Sequence, residues 1–111
     1  MATMKNLKIK TGVCKRLMKE LQSYQSEADK ECIKAKNMRR SHADPFDIKQ
    51  QEHVVAESCL TISNCRKRLE TALATLEAAV VDAEAQSTAG ESEELSAASE
   101  LIAQVKPLFI A

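Results

Sequence analysis

The chain has 111 residues, enough for one domain and too few for two. Only Tyr24, Phe46 and Phe109 are aromatic, there are two Gly and two Pro, and the apolar content is mainly Ala, Leu, Val, Ile and Met. That composition excludes a turn-rich sheet protein and matches long helices. The formal charge is zero, so no global field favours nucleic acid or a membrane surface.

The charge is nevertheless divided. Met1 to Arg40 holds eleven Lys/Arg against four Asp/Glu, a net of +7, and Ser41 to Ala111 holds five against twelve, a net of −7. Two readings follow: the halves lie side by side and compensate one another, or a basic face is kept for an acidic partner.

The first segment reads as a helix over 3–41. Leu7, Lys10, Cys14, Leu17, Leu21, Tyr24, Ala28, Glu31, Ala35 and Met38 recur at alternating steps of three and four, a heptad seam whose polar members are Lys10 and Glu31. Ile9, Val13, Met18 and Cys32 are expected to widen its buried face. Thr3 or Thr11 could cap the start, and Leu7 to Lys10 also alternates as a short extended piece would; a helix from near Thr3 is favoured. The stretch Ser41 to Asp47 breaks it, since Pro45 disfavours helix at Asp44. Asp47 and Gln50 have capping-box spacing, so the second helix is expected to begin at Asp47 or Ile48 and to cover 47–85.

The seam of the second helix is Ile48, Gln51, Val55, Ser58, Ile62, Cys65, Leu69, Ala72, Leu76, Ala79 and Ala83, with a second stripe of Cys59, Leu73 and Val80. Two stripes imply two neighbours, which makes this the central helix. Thr61 to Asn64 is its weakest stretch and predicts a bend or local fraying. After Gln86 to Glu91, Ser92 reads as an N-cap for a third helix over 92–106, with Leu95, Ala98, Leu101, Ile102 and Val105 on its apolar side and Pro107 at its end. Leu108, Phe109 and Ile110 are expected to fold back onto the bundle. The fold class is therefore all-α: an elongated, coiled-coil-like three-helix bundle over 1–111, two long antiparallel helices of about 55 Å each and a third of about 25 Å at 1.5 Å rise per residue.

Catalytic signatures are missing. No glycine-rich phosphate loop or GxSxG elbow is present. Cys14, Cys32, Cys59 and Cys65 form no CxxC pair, and neither His42 nor His53 is spaced with them as a zinc ligand. The cysteines read as buried, reduced thiols of a cytosolic protein, slow to label; Cys65 beside Arg66 and Arg68 could instead be activated, but its seam position favours burial. His53 with Glu57 is most simply a surface contact. No apolar run reaches the about 18 residues of a membrane span, and MATMKNLKIK lacks the apolar stretch of a secretory signal. The reading is of a non-enzyme without metal or cofactor. Its candidate partner-binding residues are Lys8, Lys10, Lys15, Arg16, Lys19, Arg66, Lys67 and Arg68. Without net positive charge or interleaved aromatics, that set points to an acidic protein surface rather than nucleic acid.

Three blocks carry a family resemblance: Leu7-Lys8-Ile9-Lys10-Thr11-Gly12-Val13-Cys14-Lys15-Arg16-Leu17-Met18-Lys19-Glu20, then Asp47-Ile48-Lys49-Gln50-Gln51, then Cys65-Arg66-Lys67-Arg68-Leu69-Glu70. In order and separation they resemble the tubulin-specific chaperone A (tubulin-folding cofactor A) family, with a composition similar to plant members. The resemblance runs from about Lys5 to Val105. It implies a cytoplasmic, cytoskeleton-associated three-helix protein that captures β-tubulin folding intermediates released from the chaperonin. It further implies hand-over to downstream cofactors that assemble the αβ heterodimer, with no nucleotide hydrolysed. Related chaperones can pair; for this chain a monomer is favoured over a dimer. Where other members can carry a helix-bending proline in the second helix, this chain has Ser63-Asn64. The alternative is a structural coiled-coil scaffold or tether, which would bury Leu17, Leu21 and Leu69 against another copy.

Overall fold

A computed structural model of the chain describes residues 2–86 and 93–109. Three α-helices follow in order, α1 (Ala2–Arg40), α2 (Pro45–Gln86) and α3 (Glu93–Val105), and then a single 3₁₀ turn, Lys106–Phe109. No strand occurs among the described residues. The all-α expectation holds. The proposed Ser92 cap lies outside the described residues, as do Ile110 and most of the break after Gln86.

The α1–α2 connection is tighter than the sequence suggested. The Ala43 amide donates to the Met38 carbonyl at 3.0 Å and the His42 amide to the Arg39 carbonyl at 3.2 Å, which is the Schellman pattern of a helix end. His42 sits at φ 56° in the left-handed position where glycine is usual. α2 then starts at Pro45, two residues before the expected Asp47. Asp44 is the cap: its carboxylate accepts the Phe46 amide at 2.8 Å, and its carbonyl accepts the first helical bond from Ile48 at 3.0 Å. Proline disfavours helix at the residue before it, yet it fits the first helical position, where its missing N–H costs nothing. Asp47 is thus an acidic first-turn residue and not a cap. The backbone stays helical through Thr61 to Asn64, so the expected fraying is not found; the Thr61 hydroxyl donates back to the Glu57 carbonyl at 3.1 Å.

Contacts divide the chain into two compact units. One comprises residues 1–18 and 67–111, so it holds the start of α1, the end of α2, α3 and the 3₁₀ turn. Its core is Leu7, Cys14, Leu17 and Met18 from α1, Leu69, Leu73, Leu76, Ala79, Val80 and Ala83 from α2, and Leu95, Ala98, Leu101 and Val105 from α3. Here α2 does bury both its stripes, as two neighbours require. Lys106 bonds Glu77 at 3.4 Å. Phe109 is half-buried but Leu108 is exposed, so the tail folds back only in part.

The other unit, Lys19–Arg66, contains two antiparallel helix segments and the turn between them. With fewer neighbours, its core is smaller: Leu21, Ala28, Ala35, Cys65 and the amide of Gln51. Gln51 donates through Nε2 to the Glu31 carboxylate at 2.6 Å and to the Glu31 carbonyl at 3.0 Å. The polar seam residue Glu31 thus meets the polar seam residue Gln51, which satisfies both and fixes one register. Arg39 pairs with Glu52 at 3.8 Å on the flank.

Three expectations are corrected. Ile9 and Val13, assigned to a widened buried face, are exposed. Cys59, assigned to the second stripe of α2, is exposed. The cysteines are not uniformly buried: Cys14 and Cys65 are, Cys32 is half-covered and Cys59 is open. The seam residues Leu17, Leu21 and Leu69, which a self-assembling scaffold would hold for another copy, are buried within the chain itself.

Candidate binding surface

Lys8, Lys15 and Lys19 recur on α1 at steps of seven and four and so share one stripe opposite the seam. All three are exposed, as are Arg16, Lys67 and Arg68, whereas Lys10 and Arg66 are half-buried. Lys10 occupies a seam position, where a lysine can bury its stem and keep its ammonium in water.

The basic stripe is not uniformly open. Lys8 lines a shallow groove of about 380 Å³ with Thr11, Gly12 and Ala97, and Glu93 and Glu94 stand in the same wall. Lys15 lines a second groove of about 190 Å³ that also includes Glu100 and Gln104. Both grooves lie where α3 runs along α1. Lys8 lines its groove beside Glu93 and Glu94 and Lys15 lines its groove beside Glu100, while Arg16 stands exposed on the flank of Ile9 and Val13.

That uncovered flank is what sequence reasoning missed. Ile9, Val13 and Arg16 follow one another at steps of four and three on one side of the α1 seam, with Ile9 54% and Val13 37% exposed. Met18 lies on the other side of the seam and is buried. The signal was available: a single short third helix can cover one flank of α1 and not both. The result is an apolar pair beside an arginine, a combination suited to anchoring a partner with apolar and acidic groups.

Burial pushes the Cys14 thiol above its ordinary pKa, which makes it a poor nucleophile. Cys65 is fully buried, so the burial reading of that residue stands. His53 and Glu57 are exposed residues of α2. Among the described residues no group of three or more His, Cys, Asp or Glu could hold a metal ion, and no helix is long and apolar enough to cross a membrane.

A family model described as Tubulin binding cofactor A matches residues 2–102. This chain belongs to that family. Tubulin-folding cofactor A of Arabidopsis thaliana is 45% identical over 109 residues, 98% of this chain and 96% of that protein. The crystal structure of the Arabidopsis thaliana cofactor superposes with a TM-score of 0.91, covering 96% of this chain and 98% of that one. Human tubulin chaperone cofactor A superposes at 0.76 with 34% identity, covering 94% of this chain and 98% of that one. The family is one of chaperones and folding cofactors, and its members share the three-helix arrangement found here.

Proposed function

We propose that this chain is a cytoplasmic tubulin-folding cofactor acting by stoichiometric binding and not by catalysis. It captures β-tubulin folding intermediates released from the chaperonin, keeps their exposed surface from aggregating, and passes them to the cofactors that build the αβ heterodimer. The chain works as a single domain and as a monomer. What carries this reading is the near full-length match to a family whose members are named for tubulin folding. It is supported by helices that bury their seams within the chain and leave basic and apolar side chains outward.

Lys8, Lys10, Lys15, Arg16, Lys19, Arg66, Lys67 and Arg68 are the proposed steering residues, with Ile9 and Val13 as apolar contacts. Steering by exposed charge acts on association rate and weakens as salt shortens the Debye length. Immobilised chain should recover β-tubulin from cytosolic extract in preference to α-tubulin. A Lys15→Glu/Arg16→Glu/Lys19→Glu variant should bind about tenfold more slowly at low salt, the difference shrinking as salt rises. Equal capture by that variant removes the stripe from the mechanism, and failure of the native chain to bind β-tubulin removes the function. Sedimentation of the free chain over the micromolar range checks the monomer.

A further inference from the structure

Heptad position tells the two sides of the α1–α2 pair apart. With Leu7 and Leu69 at position a, Thr11 and Met18 of α1 and Leu73 and Val80 of α2 fall at e. Val13 of α1 and Arg68, Thr75 and Asp82 of α2 fall at g. In an antiparallel pair, e positions of both helices share one side and g positions the other. Arg39 and Glu52, both at e and bonded at 3.8 Å, show this in the Lys19–Arg66 unit. In the unit of residues 1–18 and 67–111, Met18, Leu73 and Val80 are buried, and Thr11 lines both grooves against α3. The e side is therefore the one that α3 covers. On the g side Val13, Arg68, Thr75 and Asp82 are all exposed, as is Ile9, four residues before Val13.

α3 itself shows what kind of segment packs across α1 and α2. It has 13 residues and buries Leu95, Ala98, Leu101 and Val105, at steps of three, three and four. Its Glu93, Glu94 and Glu100 line the grooves with Lys8 and Lys15. An acidic amphipathic helix thus lies beside a row of cations. The g side offers the same terms without an occupant from this unit. Ile9 and Val13 supply the apolar ground, with Arg16 beside them on α1 and Arg68 on α2. The helices run antiparallel, so Arg68 lies toward the Arg16 end of the unit and Asp82 toward the other.

We infer that the g side docks one short amphipathic helix of the client, apolar residues on Ile9 and Val13 and carboxylates at the end near Arg16 and Arg68. This rests on the tubulin-folding reading, in which the client is a β-tubulin folding intermediate, and adds the kind of segment that the client presents. A helix of an incompletely folded chain shows its apolar face until its own neighbours arrive, and such faces aggregate. Covering one reversibly protects the client without chemistry. The apolar anchors set the dissociation rate, whereas the arginines add to the association rate.

The test uses the full chain and β-tubulin. Ile9→Gln/Val13→Gln keeps good helix formers at two exposed positions, so melting should stay close to native. Capture should nevertheless weaken by roughly tenfold or more through faster dissociation, at low and high salt alike. Ile33→Gln is the control, since Ile33 is exposed in the other unit and belongs to no proposed contact. A photoreactive p-benzoylphenylalanine in place of Val13 should crosslink to a β-tubulin segment with apolar residues at steps of three and four and Asp or Glu at one end. Native capture by the double variant overturns the inference and leaves the tubulin reading standing. So does an equal loss in the control, or a crosslink to a segment without that pattern. A native chain that captures no β-tubulin removes both.

Discussion

Replacing Gln51 by Ala removes the donor of two hydrogen bonds, at 2.6 Å to the Glu31 carboxylate and 3.0 Å to its carbonyl. Gln51 is 5% exposed and is the buried polar residue of the described core. A hydrogen bond to a charged group contributes about 1.5–3 kcal/mol and a neutral one about 0.5–1.5 kcal/mol. Glu31 is only half-buried, so water replaces part of the charged bond when the amide is lost. A loss of about 2 kcal/mol is therefore expected for Gln51→Ala. A double-mutant cycle with Glu31→Ala isolates the side-chain pair, with an expected coupling of about 1 kcal/mol. For a chain of this size each kcal/mol moves the melting temperature by about 4–8 °C, so thermal melts of the two single variants and the double variant resolve the effect. A coupling within about 0.3 kcal/mol of zero, the ordinary error of additivity, would refute the claim that the polar seam pair holds this register. So would a Gln51→Leu variant more stable than the native chain.

Three further outcomes are expected. A Cβ built on Gly12 meets nothing within 4 Å, so Gly12→Ala should raise stability by up to about 1 kcal/mol, read from denaturant midpoints. His42 occupies a left-handed position at φ 56°. His42→Gly should therefore stabilise the α1–α2 turn by about 0.5–1 kcal/mol, and a loss would show that the imidazole has a role there. Burial holds the Cys14 thiol above its ordinary value of 9.0. The folded chain then keeps a proton that the unfolded chain gives up, so this contribution is complete below that value and lost as pH rises beyond it. Melting temperatures taken from neutral to alkaline pH should fall less steeply for Cys14→Ala than for the native chain.

Much of the architecture was legible because helix formation and seam burial are periodic. Spacing of three and four picks out one face whatever the partner, and Leu7, Cys14, Leu21, Leu69, Leu76 and Ala83 are all buried as that spacing required. The break at Pro45 was equally plain, but its detail was not. Whether Asp44 or Asp47 caps α2 depends on which carboxylate reaches an amide, and proline is compatible with both a helix end and a first helical residue. The basic candidates were visible as a list. Which of them face α3, and which stand clear, was not.

By itself the sequence determined the class of fold, the helix order and the seams, because these follow from local propensity and from the match between apolar spacing and helix pitch. The tertiary structure alone decided the flanks. Met18 and Leu73 are buried while Ile9, Val13 and Cys59 are open, although all five are comparably apolar. A flanking residue is covered only where another helix passes over it. Within its own unit α3 covers the Met18 side of α1 and leaves Ile9 and Val13 open.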